Sequence, residues 1–212
     1  MTFVLAAVLG YLLGAVPFGL LVGRLVKGID LREYGSHRTG ATNALRTLGT
    51  RAAAAVFVLD VGKGVAAVLL ARLLIGADPN VEWGAALAGF AAIVGHNWSV
   101  FIRFTGGRGV ATSAGALGAM SPITILVLVP IVIGILLRSR YVSLGSIVGG
   151  LLAPVITAIF AALGLATVPA IGYALASGLL VTAAHADNIG RLRAGTERKI
   201  GQKEEVRSDG GA

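Results

Sequence analysis

Cysteine is absent from this chain of 212 residues, and charged residues make up only 13% of it. Without cysteine there are no disulfides, no thiolate metal sites and no cysteine nucleophile. The shortage of charge excludes an ordinary soluble domain, in which about a quarter of the residues are charged. Aromatic residues are also few, 13 in all, and offer no stacking platform for nucleic acid. The net charge of +8 therefore does not indicate a DNA-binding protein.

Long apolar runs are what the chain has instead. Apolar residues account for 56% of the sequence and the mean hydropathy is +0.85, as is typical of an integral membrane protein. The runs must be helical, because lipid cannot satisfy the backbone groups of open strands. The first run lacks the charged start and the cleavage site of a signal peptide, so we expect it to remain as a membrane helix. The runs are Thr2–Gly23, Ala52–Ile75, Trp83–Ile102, Val110–Leu137, Val142–Leu163 and Thr167–Ala184.

Lysine and arginine in the loops predict the orientation, since both are enriched on the cytoplasmic side of membrane proteins. The segment Arg24–Arg51 carries six of them, whereas Gly76–Glu82 carries none. The first loop is therefore predicted inside and the second outside. This places the N-terminus outside and the C-terminus in the cytoplasm.

All the basic loops can lie inside only if the run Val110–Leu137 leaves the cytoplasm and returns to it. The run has 28 residues, too few for two full spans of about 20 residues each. Two short helices broken near Ser121 and Pro122 meet the condition, because proline disfavours helix at the residue before it. We therefore predict an all-α polytopic membrane protein of about seven transmembrane helices, two of them short. The alternative is five spans with one long tilted helix.

Most of the charges gather in three glycine-rich polar blocks, which either topology places on the cytoplasmic face. Positive-inside bias and attraction to anionic lipid account for many of the basic residues. They do not account for Arg46 and Arg108, which lie among Gly, Thr, Asn and Ser. Backbone N–H groups of glycine-rich loops beside an arginine form an anion site suited to phosphate. The blocks are Arg32–Arg46, Gly95–Ser113 and His185–Lys199.

Several polar residues outside the arginines also require an interpretation. Asp60 and Lys63 lie about two turns inside the second apolar run, where isolated charges are costly, so we expect an ion pair that braces the site. Arg72 is expected to reach the outer interface. Glu197 is expected to anchor the third block to an arginine rather than to act as a general base. His96 ends a span beside the glycine-rich loop of the second block, either as an interfacial residue or as a support for that loop.

The three blocks resemble, in order and separation, the signature segments of the bacterial acyl-phosphate:glycerol-3-phosphate acyltransferases. The segments read GSxxxGATNxLR in Gly35–Arg46, GHxxxxFxxFxGGxG in Gly95–Gly109 and HxxNIxRLxxGTE in His185–Glu197. The resemblance covers nearly the whole chain, with two departures. The family usually has GSGN where this chain has GSHR, and it usually has lysine at the position of Arg108. Arginine keeps the charge and gains a bidentate fork, but it loses the compact ammonium group.

The resemblance implies transfer of a fatty acyl group from acyl phosphate to the 1-hydroxyl of sn-glycerol-3-phosphate. The products would be lysophosphatidic acid and inorganic phosphate, in the first acylation step of phospholipid synthesis. The expected partners are these two substrates and membrane lipids, with no nucleic acid, no cofactor and no metal, and a monomer is the expected state. We expect one membrane domain over residues 1–203, in the cell (plasma or inner) membrane with its active site facing the cytoplasm. Residues 204–212 would form a disordered tail.

Carried over to this chain, the resemblance implies Ser36, His185 and Asn188 as catalytic candidates. Acyl phosphate is an activated anhydride, so a covalent intermediate is unnecessary and a Ser36 nucleophile is the minority alternative. The proton of the attacking hydroxyl would go either to His185 or to a substrate phosphate. The expected substrate-binding residues are Arg46, Arg108, Thr42, Asn43, Gly106, Gly107, Gly109, Ser143 and Ser146.

Two rival functions predict different patterns. A small multipass transporter of an anionic solute requires polar groups along a path through both leaflets, whereas here they crowd one side. An acyltransferase of the HxxxxD type requires an aspartate five residues after a histidine. Neither His96 nor His185 has one.

Overall fold

The structure, a computed structural model, describes residues 1–201, and its regular elements are helices. This confirms the predicted all-α class. The predicted tail, residues 204–212, and the end of the predicted domain lie outside the described residues. The helices are α1 (Thr2–Ala15), α2 (Phe18–Lys27), α3 (Ala41–Thr47), α4 (Thr50–Ile75), α5 (Val81–Asn97), α6 (Val110–Met120), α7 (Pro122–Ser139), α8 (Val142–Ala162), α9 (Val168–Ala183) and α10 (Ala186–Arg193).

Four helical segments of the described chain are long and apolar enough to cross a membrane. They are α1 with α2, then α4, α7 and α8. The pair α9 and α10 adds a fifth if the two count as one span with a bend of 58°. Helices α5 and α6 are shorter, with 17 and 11 residues. The multi-pass membrane class is confirmed, whereas the count of about seven spans and the orientation of the termini remain predictions.

The run Val110–Leu137 is broken where the sequence predicted. Helix α6 ends at Met120, and Pro122 is the first residue of α7. Ser121 between them has φ −146° and ψ 81°, outside the helical region that a following proline disfavours. The Arg72 guanidinium donates to the carbonyl of Ala119 at 2.9 Å and pairs with Glu82 at 2.9 Å. Arg72, expected at the outer interface, thus also binds a carbonyl at the end of α6.

The first apolar run was predicted as one helix, but it is interrupted at Val16 and Pro17. Proline has no N–H to donate and its ring clashes with the preceding turn, so α1 stops and α2 restarts at Phe18. The carbonyl of Val16 accepts the N–H of Phe18 at 3.1 Å and also a hydrogen bond of 3.1 Å from Lys63 Nζ on α4. A polar side chain of α4 therefore hydrogen-bonds to the backbone at the break between α1 and α2.

Small residues let the helices approach closely. A Cβ atom at Gly10 or Gly14 of α1 would overlap the backbone of Ala88 or Ala92 of α5. Glycines at the contacts of α4 with α6 and of α8 with α9 are equally crowded. Lipid tails are as apolar as leucine, so close van der Waals packing of this kind is a main source of association between membrane helices.

The contact between α1 and α5 gives a first prediction. In Gly14→Val the new side chain meets the Ala92 backbone, which cannot move away without separating the two helices. Overpacking of this kind costs about 1–3 kcal/mol, so we expect a lower thermal unfolding temperature in detergent. Gly62→Val is the matched control, because Gly62 of α4 is exposed with open space at its Cβ position. Equal unfolding temperatures for the two variants would contradict the prediction.

Candidate active site

The three polar blocks meet in one cleft at an end of the helix bundle. The cleft has a volume of about 560 Å³. Its walls are the loop before α3 and α3 itself, the loop that leads into α6, and α10 with the segment after it. The first turns of α8 and buried positions of α4 and α5 complete it. Segments far apart in sequence therefore share one polar space, as the clustering of charge predicted.

Eleven of the twelve predicted site residues line this cleft. Gly106 is the exception among them, because it is buried against the backbone oxygens of His96 and Asn97. The roles of all twelve in substrate binding or catalysis remain predictions. The eleven residues at the cleft are Ser36, Thr42, Asn43, Arg46, Gly107, Arg108, Gly109, Ser143, Ser146, His185 and Asn188.

The cleft carries an excess of positive charge. Within the part of the chain that the structure describes, five arginines line it against three carboxylates, and each of these carboxylates is ion-paired with a basic side chain. Low-dielectric walls strengthen the field of such a cluster and attract anions from a distance. The arginines are Arg38, Arg46, Arg108, Arg191 and Arg198, and the carboxylates are Asp60, Asp187 and Glu197.

A buried carboxylate, Glu197, organises the third block. Its Oε1 accepts hydrogen bonds from Ser143 Oγ at 2.7 Å and from Asn188 Nδ2 at 2.6 Å, and its Oε2 accepts one from Arg191 Nε at 2.8 Å. Burial raises the pKa of this carboxyl, but the three donors outweigh it and hold the pKa below its ordinary value. The expected anchor to an arginine is present. Ser143 and Asn188 point to Glu197 as well, which sequence spacing did not indicate.

The same carboxylate fixes the direction of the Asn188 amide. An ionised carboxylate can only accept hydrogen bonds, so the NH₂ group of Asn188 must face Glu197. The Oδ1 atom of Asn188 is buried and has no hydrogen-bond partner among the described residues. Asn188 therefore presents an acceptor, suited to a hydroxyl group, on a residue of the cleft wall.

Arg108 joins the second block to the third. Its Nε donates to the carbonyl of Ala184 at 3.1 Å, and its Nη2 lies 3.4 Å from Asp187 Oδ2. Helix α6 begins just beyond it, after Gly109 with φ +75°, a left-handed conformation that suits glycine. The loop and the start of α6 thus stand directly beside the end of α9.

His185 follows the last turn of α9 and is only 3% exposed. Its Nδ1 lies 2.7 Å from the carbonyl of Val181, so this nitrogen carries the proton and Nε2 is left as an acceptor. Burial, together with the charge of Arg108, outweighs the opposing effect of that hydrogen bond and lowers the pKa of His185 to about 4. At neutral pH the cleft therefore contains a neutral imidazole.

Asn43 holds the loop of the first block in shape. Its amide nitrogen lies within 3.0 Å of the carbonyls of Leu31, Tyr34 and Arg38, and its Oδ1 accepts from the N–H of Ser36 at 3.0 Å. A side chain at Gly35, where φ is +61°, would run into the Asn43 amide. The structure therefore gives Asn43 a role in folding the loop, beside its predicted role in binding.

The glycines of the second block are shaped by the end of α5. The N–H of Gly107 donates to the carbonyl of His96 at 3.1 Å, so this N–H is already used within the protein. His96 and Asp60, expected to support or brace the site, also line the cleft. Asp187, which sequence reasoning did not single out, lines it too. Its position between the candidates His185 and Asn188 could have identified it from the sequence.

These features define a helical membrane protein with one cationic cleft, suited to phosphate groups, at an end of its bundle. The family model "Glycerol-3-phosphate acyltransferase" matches residues 4–195, so the chain belongs to this acyltransferase family. A glycerol-3-phosphate acyltransferase of Thermoanaerobacter sp. (strain X514) is 42% identical over 96% of this chain and 98% of its own length. One of Synechococcus elongatus is 44% identical over 93% and 94%.

Solved structures agree with this assignment. The crystal structure of PlsY (YgiH), an integral membrane glycerol 3-phosphate acyltransferase, in its glycerol 3-phosphate form matches with a TM-score of 0.84 and 37% identity. The match covers 95% of this chain and 96% of that one. The lysophosphatidic acid form of PlsY matches with a TM-score of 0.83, 36% identity, and 95% and 97% coverage. The resemblance drawn from the three signature segments is therefore confirmed, and the protein is an acyltransferase of this family.

The Glu197 network gives a second prediction. In Glu197→Gln one end of the side chain becomes an NH₂ group, which must face Ser143 and Asn188 or else Arg191, all of them donors. A buried donor left unsatisfied costs about 1–3 kcal/mol, so we expect a lower unfolding temperature and reduced turnover. Glu33→Gln, at an exposed position, is the control. Wild-type stability and turnover in Glu197→Gln would show that the network does not hold the third block.

The lowered pKa of His185 gives a third. Its folded pKa of about 4 lies below the ordinary 6.5, so on acidification the unfolded chain takes up the proton first. The stability this provides is present above pH 6.5 and is lost as the pH falls towards 4. The loss between pH 7.5 and 5 is about 2 kcal/mol. We expect the unfolding temperature of His185→Gln to fall less over this range than that of the wild type. If the two unfolding temperatures decrease in parallel with pH, the lowered pKa of His185 is refuted.

Proposed function

We propose that the cleft transfers a fatty acyl group from acyl phosphate to the 1-hydroxyl of sn-glycerol-3-phosphate, giving lysophosphatidic acid and inorganic phosphate. The observation that carries this proposal is the convergence of arginines from all three blocks beside a neutral histidine. Both proposed substrates are phosphate monoesters or anhydrides and need cationic partners. The crystal structures of PlsY, in glycerol 3-phosphate and lysophosphatidic acid forms, support the acceptor and the product.

Arg46, Arg108 and the start of α6 would bind phosphate and stabilise the oxyanion that forms during transfer. Arg46 comes from α3 and Arg108 from the loop before α6, and both line the cleft. Donors fixed in place before reaction stabilise developing charge without reorganisation. Ser36 and Thr42 would supply further hydrogen bonds, and Ser146, whose Oγ donates to the carbonyl of Val142 at 3.0 Å, would accept one. Ser143 and Asn43, whose side chains bond to the protein itself, would act by holding these groups in position.

His185 and Asn188 would orient the acceptor. The unprotonated Nε2 of His185 and the unpartnered Oδ1 of Asn188 are both hydrogen-bond acceptors, and the hydroxyls of glycerol-3-phosphate are donors. The 1-hydroxyl oxygen attacks the acyl carbon, the bond from that carbon to the phosphate oxygen breaks, and phosphate leaves. The hydroxyl proton goes either to His185 Nε2 or to a substrate phosphate oxygen. A mixed anhydride is activated enough for direct attack, so Ser36 need not form an acyl-enzyme.

The remaining assignments concern the setting of the site. Residues 1–203 would form one domain in the cell inner membrane, with the cleft facing the cytoplasm and the protein acting as a monomer. The excess of lysine and arginine in the loops at the cleft, compared with the loop after α4, supports this orientation. The acyl chain would lie along the apolar helices, whose outer faces carry many exposed leucine and valine side chains.

The identity of the acyl donor distinguishes this function from its rivals. Purified protein is incubated with radiolabelled glycerol-3-phosphate and either acyl phosphate or acyl-CoA, and labelled lysophosphatidic acid is measured. We expect product from acyl phosphate and release of one phosphate per product. Product from acyl-CoA alone would overturn the donor, and product from neither would favour the transporter. A burst of phosphate without glycerol-3-phosphate that disappears in Ser36→Ala would instead identify Ser36 as a nucleophile.

A further inference from the structure

Beneath the loop that leads into α6 lies a polar pair for which the proposed chemistry has no use. Asp60 of α4 is 1% exposed and His96 of α5 is 7% exposed. Asp60 Oδ1 lies 3.5 Å from His96 Nδ1 and 2.9 Å from Lys63 Nζ. Buried polar groups in a membrane protein are costly unless they are paired. These three are paired with one another, and two of them form part of the cleft lining.

His96 contacts the loop at two points. Its carbonyl accepts the N–H of Gly107 at 3.1 Å. Its imidazole packs against the Cα of the same residue, because the three atoms nearest to a Cβ built at Gly107 all belong to the His96 ring. The nearest obstacle to a side chain at position 107 is therefore the His96 ring. Gly106 differs, since a Cβ there would meet backbone atoms of His96 and Asn97.

Asp60 lies beside the ring that makes this contact. Its Oδ1 is 3.5 Å from Nδ1, which favours the tautomer with the proton on Nδ1, and Nε2 is the ring atom nearest to a Cβ built at Gly107. Lys63 neutralises the carboxylate and also donates to the carbonyl of Val16 at 3.1 Å, where α1 stops. The Asp60 carboxylate and the His96 imidazole thereby connect the loop to helices α4 and α1.

We propose that His96 and Asp60 are positioning residues for phosphate binding: His96 holds Gly107 so that Arg108 and the start of α6 face the substrate phosphate, and Asp60 acts through His96. Neither residue takes part in the transfer itself. The inference rests on the proposed function of the loop. The two proposals fail in different experiments. An incorrect acyl donor would be detected with the wild-type enzyme, whereas an incorrect positioning role would be detected only with the variants described below.

The test is a double-mutant cycle with a matched control glycine. Gly107→Ala should lower kcat/KM roughly ten- to hundredfold, as misplacement by about 1 Å does, because the new methyl group displaces the loop from the His96 ring. In a His96→Asn background, which keeps an amide near Asp60 but removes the far side of the ring, the same substitution should cost much less. Gly106→Ala should cost the same in both backgrounds, because it meets backbone atoms. Equal costs of Gly107→Ala in the two backgrounds would overturn the proposal.

A second measurement separates positioning from folding. In Asp60→Asn we expect a several-fold rise in KM for glycerol-3-phosphate and in the inhibition constant of inorganic phosphate, with a smaller change in kcat. Asp60→Glu, which retains the carboxylate, should restore part of the affinity. A purely structural role would lower the unfolding temperature and the active fraction with KM unchanged, and that result would refute the proposal even if His96→Asn did not fold.

Discussion

Every helix that stops inside or beside this apolar bundle leaves carbonyl groups that lipid cannot satisfy, and the rest of the structure depends on how neighbouring helices bind them. Lys63 of α4 binds the carbonyl of Val16 where α1 stops, and Ser99 binds that of Ala15 beside it. At the other end of α4, Arg72 binds the carbonyl of Ala119 near the end of α6. Polar residues in the spans are therefore tied to helix ends, and the helix ends at one side of the bundle frame the cleft.

Two segments of the cleft wall are each held together by one polar residue. Asn43 binds three carbonyls and one N–H in the segment between Leu31 and Arg38, and Glu197 accepts hydrogen bonds from one donor on α8 and two on α10. Within the described chain these are hydrogen bonds among buried or half-buried groups, where each bond is electrostatically stronger than in water. Such a framework leaves arginines, His185 and Asn188 on the cleft wall, while other polar groups are used in holding the loops.

Features that depend on residues close together in the sequence could be predicted, whereas contacts between distant segments could not. Apolar runs and Pro122 determine the helices and the break at Ser121, and the family resemblance of the three blocks led to twelve predicted site residues, eleven of which line one cleft. The break at Val16 was missed, because Pro17 lies near the middle of a continuous apolar run. The partners of Glu197 were missed in part, because Ser143 lies 54 residues away on another helix. Sequence spacing reveals which residues are neighbours on one helix. Contacts between helices depend instead on how closely the helices pack, which glycine and alanine residues at their interfaces determine.

Arg108 is where this chain departs from the lysine usual in its family, and the structure gives a physical reason why arginine serves there. The guanidinium reaches the carbonyl of Ala184 through Nε and the carboxylate of Asp187 through Nη2, so one side chain ties the loop before α6 to two points after α9. A lysine ammonium is a point charge on a flexible stem and lacks the rigid fork that makes both contacts in one geometry. Burial and the nearby Arg38 lower the pKa of Arg108, yet a guanidinium stays charged where a buried ammonium loses its proton more readily. Arginine thus joins two polar blocks and still leaves its charge at the cleft.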